Sequence, residues 1–148
     1  MILAFLAFGV CPAIAQKIKE SEVPQVVKTA FMKAYPGAKG VKWDKEAEGF
    51  EASFEQNKND MSVVLDKMGI VKEVETGIAK DKLPKAILEI LKKDFADHDI
   101  EETAMIVANN VTTYEVEVEK GKKSWDLIFD STGKLLKKID KGDEIEKD

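Results

Sequence analysis

The chain has 148 residues, of which 44% are apolar and 34% charged, with a formal net charge of −5. That length allows one domain or two small repeats sharing a core, and that composition excludes both a disordered chain and one embedded in a membrane throughout. Acids and bases are mixed along the sequence, so the basic face that a nucleic-acid binder needs is missing.

Residues 1–15 carry no charge and end in Ala13-Ile14-Ala15. An apolar run closed by Ala-x-Ala reads as a signal peptide with its cleavage site, which makes Gln16 the mature N-terminus and the protein periplasmic or secreted. As a helix the run would reach about 22 Å at ~1.5 Å per residue. A bilayer core is ~30 Å thick, so no stable membrane span is expected. Cys11, the one cysteine, lies inside this run. As a lipid-bearing residue it would be approached by Phe8-Gly9-Val10, where small residues are expected. Cleavage after Ala15 leaves a mature chain without disulfide, thiol nucleophile or thiolate ligand.

Residues 16–22 read as a polar lead-in, with Ser21 as a helix cap. Val23, Val26, Val27, Ala30, Phe31 and Ala34 follow a 3.6-residue spacing, which predicts a helix from Val23 to Tyr35. Pro24 falls in its first turn, where a missing N–H costs nothing, and Tyr35-Pro36-Gly37 stops it. A strand follows from Lys39 to Asp44, with Val41 and Trp43 on one face. After a turn at Glu46 to Gly49, Phe50 to Glu55 alternates apolar and polar as a half-buried antiparallel strand does. Asn57 to Asp60 is a hairpin loop. Met61, Val63 and Leu65 form the next apolar face, and Asp66-Lys67-Met68-Gly69 turns into a strand from Ile70 to Thr76.

The same order then recurs. Helix two is expected from Leu83 to Phe95, with Leu83, Ile87, Ile90, Leu91 and Phe95 inward, and Ala96 to Asp99 as its exit. Ile100 to Val107 is a strand, Asn109-Asn110 a turn, and Tyr114 to Glu119 a second strictly alternating strand. Trp125, Leu127 and Phe129 face inward. Ser131-Thr132-Gly133 turns into Lys134 to Ile139. Leu83 follows Val23 by 60 residues, and Gly133 follows Gly69 by 64.

The expected fold is α+β: a tandem repeat of one helix plus about four antiparallel strands. The two units form one extended sheet with both helices on one face, and twist makes the other face concave. The chain divides into a signal peptide (1–15), a first repeat (16–78), a second repeat (79–140) and a charged, solvated tail (141–148).

Little here suggests catalysis, and no cofactor or metal is expected. The single histidine, His98 in Asp97-His98-Asp99, reads as part of a polar loop after helix two rather than as a ligand or base. Trp43, Tyr114 and Trp125 share phase with the apolar residues and read as core, not as a ligand-stacking set. The polar faces carry more. Glu51 and Glu55 lie opposite Phe50 and Phe54; Glu115, Glu117 and Glu119 lie opposite Tyr114, Val116 and Val118; Asp126 lies opposite Trp125 and Leu127. With Asp60 these residues form the candidate partner-binding set on the open sheet. Clustered carboxylates there would steer a cationic partner in a salt-sensitive way; the bland alternative is a solvated face that keeps the protein soluble.

Val23-Pro24 with Ala30-Phe31, then Ala34-Tyr35-Pro36-Gly37-Ala38, Val41-x-Trp43, Phe50-Glu51-Ala52-x-Phe54 and Asp66-x-x-Gly69 resemble the secreted PepSY-like, β-lactamase-inhibitor-like domains of Gram-negative anaerobes such as the Bacteroidetes. Leu83-Pro84, Tyr114-Glu115-Val116 and Asp130-x-x-Gly133 resemble a second copy. The resemblance implies tandem helix-plus-four-strand units and a concave sheet that grips a protein, as in the inhibitor, although this mature chain lacks the inhibitor's disulfides. The expected function is a non-enzymatic, monomeric periplasmic module that engages a protein or peptide, a basic one included, through the open sheet face. The competing expectation is a small metal- or ligand-dependent periplasmic enzyme or carrier.

Overall fold

The computed structural model describes residues 16–143; the expected signal peptide, its cleavage site and Cys11 lie outside them. The elements run β1 (Gln16–Ile18), α1 (Gln25–Ala34), β2 (Lys39–Lys45), β3 (Gly49–Gln56), β4 (Asn59–Asp66), β5 (Val71–Gly77), α2 (Lys85–Asp94), β6 (Asp99–Ala108), β7 (Val111–Lys120), β8 (Lys123–Asp130) and β9 (Leu135–Asp143). The nine strands form a single antiparallel sheet in sequence order. Each of α1 and α2 is an excursion from one edge-to-edge meander, so the tandem unit of one helix and four strands is realised twice.

The register shows on which side the helices sit. Val63 pairs with Val74, Val74 with Val107, and Val107 with Thr112. Direct cross-strand partners share a face, and residues two apart on a strand share it too. Val63, packed under α1 with Val27 and Phe31, is therefore on the same face as Val116, packed under α2 with Ile87 and Leu91. Both helices cover one side of the sheet.

The two units are held by matching local devices. The carbonyl of Pro24 accepts from Val27 and Lys28, and that of Pro84 accepts from Ile87 and Leu88. Asp66 Oδ1 accepts from the amides of Met68 and Ile70, both at 2.9 Å. Asp130 Oδ1 accepts from those of Thr132 and Lys134 at 2.9 and 3.0 Å. The turn glycines then press against the helices: an added Cβ would lie 2.9 Å from Ala30 Cβ at Gly69 and 2.8 Å from Ala86 Cβ at Gly133. Both glycines also have positive φ, where side chains are strained.

Several sequence expectations are corrected. Residues 16–22 are not a bare lead-in: Gln16–Ile18 pairs with β2, and Glu20–Glu22 is a 3-10 turn. Ser21 lies in that turn and caps nothing; Pro24 holds the cap position. Val26 and Ala34, assigned to the buried stripe, are exposed, so the stripe on α1 is narrower and rests on Val27 and Phe31. Val41 is exposed beside a bulge between Lys39 and Lys42, which leaves Trp43 as the inward residue of β2. The tail is not solvated throughout, because β9 continues to Asp143 and returns Lys141 to the sheet.

Candidate functional site: the helix-free face

The face opposite the helices is the site. Three rows of direct partners cross it. Ser53, Ser62, Glu75, Ile106 and Thr113 form one; Gly77, Ala104, Glu115 and Ile128 form the next; Glu102, Glu117 and Asp126 form the third. Glu51 and Glu73 flank the first row from the other side, through Val64.

No helix covers these residues, yet many are buried. Glu51 is 4% exposed, Glu75 3% and Asp126 0%, and Ser62, Glu73, Thr113, Ile106 and Ile128 are buried with them. Side chains on an uncovered sheet are shielded to this degree only where the sheet curls toward them, so that neighbouring rows close over one another. Right-handed twist supplies the curl. Register irregularities in four of the strand pairings sharpen it.

Burial changes the chemistry of the carboxyls, because a charge removed from water is disfavoured. It pushes Glu75 up to about 9, with the charges of Glu115 and Glu51 adding to the effect. Burial and then Glu46 raise Glu51 to about 8. Burial and then Asp126 raise Glu115 to about 8, against the pull of Lys141. Glu46, Glu73 and Glu102 are raised for the same first reason. Asp126 reaches about 6, burial again leading and Lys141 opposing. At neutral pH Glu51, Glu75 and Glu115 are therefore largely protonated, whereas Asp126 is largely ionised.

Lys141 is one cation of the second repeat's half of this face, which also carries Lys137, the direct partner of Ile128. Its Nζ lies 3.0 Å from Glu117 Oε2 and 3.5 Å from Asp126 Oδ1. Burial works against its charge, but those two carboxylates outweigh it, and its pKa is raised. Among the described residues, no salt bridge reaches Glu51, Glu73 or Glu75.

A cleft of about 380 Å³ opens in this face where the two repeats meet, between the tip of the β3–β4 hairpin and the start of β6. Gly77 and Ala104, the small residues of the second row, leave the space; Glu75 and Glu115 line it, Asp60 and Glu102 stand beside them, and Lys58 and Lys80 are at the margin.

Of the residues expected from sequence, the fold brings Glu51, Glu115, Glu117 and Asp126 into the concave face. Glu55 and Asp60 are direct partners at its hairpin end and are exposed. Glu119 is half-buried at the opposite end of β7, across from Ser124. The solvated-face reading fails at Glu51 and Asp126, which the curl of the sheet removes from water. Sequence reasoning missed Glu73, Glu75, Glu102 and Lys141. The alternation of Glu73, Val74 and Glu75 carried a signal for the first two; nothing local marks Lys141, whose place depends on β9 running past Asp140.

His98 is packed rather than poised. Its Nδ1 lies 2.8 Å from Asp97 Oδ1, and its ring meets Phe95 and Trp125 edge-on at 5.3 and 5.5 Å. Trp43 packs edge-on against Phe31 at 5.2 Å, and Trp125 and Tyr114 flank the second core cluster, all on the helix side. Among the described residues no three His, Cys, Asp or Glu side chains are grouped so as to hold a metal ion, and no helix is long and apolar enough to cross a membrane.

A family model described as "Putative beta-lactamase-inhibitor-like, PepSY-like" matches the chain twice, over residues 12–73 and 58–137. The fold is also found in solved structures. A BLIP-like protein from Bacteroides fragilis is 26% identical, with TM-score 0.67 over 83% of this chain and 91% of the other. A DUF2874 family protein from Bacteroides uniformis is 21% identical, with TM-score 0.72 over 79% and 88%. A protein from Bacteroides eggerthii described as "putative periplasmic" is 20% identical, with TM-score 0.74 over 80% and 88%. The comparison with curated proteins gave no match.

Proposed function

The chain belongs to the β-lactamase-inhibitor-like, PepSY-like family, and from that premise we propose that it is a non-enzymatic periplasmic module that binds a protein or peptide through the concave, helix-free face of its sheet. The observation that carries this reading is the burial of Glu51, Glu75 and Asp126 on a face that no helix covers. Desolvating carboxyl groups costs stability, and a face with no task beyond solubility would keep its acids in water. Shifted titratable groups gathered in a concavity are what a binding surface presents. The BLIP-like relative lends the inhibitor-like sense of the reading, and the Ala13-x-Ala15 signal supports export.

The test is competition between faces. Ala104→Trp fills the floor of the concave face, and Met32→Glu alters the exposed side of α1. Each variant is immobilised and challenged with envelope extract from the producing bacterium. Loss of the captured species with the first variant alone is expected. Loss with Met32→Glu and retention with Ala104→Trp would place the binding surface on the helix side and refute the reading.

A further inference from the structure

We propose that the cleft at the junction of the two repeats is a site for a primary alkylammonium group, received between Glu75 and Glu115 over the small residues Gly77 and Ala104. The ligand chemistry is shared by a lysine side chain of a bound peptide and by a free aliphatic diamine. The inference rests on the reading of the concave face as the binding surface and names what that face grips.

Two observations converge on it. The first is shape and polarity: Gly77 and Ala104 are direct partners and leave a slot, with Glu115 the direct partner of Ala104 and Glu75 one row away. Strands are about 4.8 Å apart and rows on one face about 7 Å apart, so Glu75 and Glu115 start roughly 12 Å apart, a span that two extended glutamate side chains close around a single ammonium. The second is unmet polarity. Glu75 is 3% exposed and lines the cleft, and among the described residues no cation is paired with it. Its direct partner Ser62 is 1% exposed, and Ser62 Oγ, though near enough to influence Glu51, makes no hydrogen bond of ordinary geometry. Lys58 and Lys80 stand at the margin and ion-pair with none of these groups.

The experiment is a titration of the ¹⁵N-labelled protein, followed by amide shifts, with cadaverine in one arm, an N-acetylated and C-amidated Gly-Lys-Gly peptide in a second, and 1-pentanol as the uncharged control. Saturable shifts centred on Gly77 and Ala104 are expected with cadaverine or the peptide and not with pentanol. Glu75→Gln and Glu115→Gln should each weaken binding at least tenfold, whereas Met32→Glu, on the exposed side of α1, should leave the Gly77 shifts unchanged. Shifts with the diamine alone would make the ligand a diffusible amine; shifts with the peptide would make it a lysine of a partner. Equal response to pentanol, or undiminished affinity in both folded Gln variants, would overturn the site. Absent amine binding with capture still lost in Ala104→Trp would sink this inference and leave the module reading standing. Amine binding with capture indifferent to Ala104→Trp would do the reverse.

Discussion

Replacing Glu75 by Gln should stabilise the protein near neutral pH and do little in acid. The folded state holds the Glu75 proton until about pH 9, whereas an unfolded chain releases it near the ordinary value of 4.5. Between those values the unfolded state binds fewer protons, so stability falls as pH rises; below 4.5 nothing is lost. Each unit in that window corresponds to about 1.4 kcal/mol. Three units, from 4.5 to pH 7.5, set a ceiling of about 4 kcal/mol, and relaxation of the face around an ionised carboxylate reduces it. Gln keeps the shape and never ionises, so Glu75→Gln should gain about 2–4 kcal/mol at pH 7.5, or about 6–15 °C in Tm for a domain of this size. At pH 4.5 the two proteins should agree within about 0.5 kcal/mol, the ordinary scatter of a neutral exchange. Urea melts at the two pH values measure both. A wild type whose stability rises steadily from pH 5 to 8, or a Gln variant destabilised equally at both, would refute the argument that Glu75 is buried without a cation.

The other expectations follow from single contacts. Lys141→Ala should cost about 1–3 kcal/mol at neutral pH, because it strips the cation from Glu117 and from fully buried Asp126; Asp126 should then titrate above its value of about 6, which carboxyl ¹³C shifts can follow. Phe31→Ala and Leu91→Ala should each cost on the order of 2–5 kcal/mol in urea melts, since each anchors the core beneath its helix; a loss near zero at either would contradict its inward placement. Gly69→Ala and Gly133→Ala should each cost about 1–3 kcal/mol, both from positive φ and from contact with Ala30 or Ala86. Similar melting shifts in the pair would support the duplication, and a harmless substitution at one of them would count against it.

The architecture was legible because each local signal agreed with the next. The alternation of Phe50 to Glu55 and of Tyr114 to Glu119 fixed the faces, and two Asp-x-x-Gly turns fixed the repeat. Strand phase also kept Trp43 and Trp125 on the helix side. What could not be read was how water reaches the polar face. Alternation says that Glu51 points away from the helices; it does not say that curvature then buries Glu51 to 4% exposure. That depends on the accumulated twist of nine strands and on where the bulges fall. β1 was missed because a three-residue polar strand has no period to detect, and its pairing with β2 is supplied by a neighbour. Lys141 was missed because a charged tail and an edge strand have the same composition until the partner strand is known.

Curvature also revises how such a face would meet a cationic partner. Long-range steering needs ionised groups, and the sequence suggested a field set by Glu51, Glu55, Glu115 and Glu117 together. Burial divides that set. Glu51 and Glu115, at about 8, hold most of their protons at neutral pH, and Glu117 is already paired with Lys141. Exposed Glu55 and Asp60, at the hairpin end, remain to attract from a distance. Salt should therefore act mainly on the encounter, through the hairpin, while pH should act on the bound state, through the floor. A cation seated on the floor stabilises the ionised carboxyls and lowers their pKa, so its capture releases protons and strengthens as pH rises toward 8. A Glu55→Gln, Asp60→Asn variant should then slow association at low salt and leave that pH dependence intact, whereas Glu51→Gln with Glu115→Gln should flatten the pH dependence and leave the salt dependence in place. The two effects share a surface and are separable because one set of carboxyls lies in water and the other beneath it.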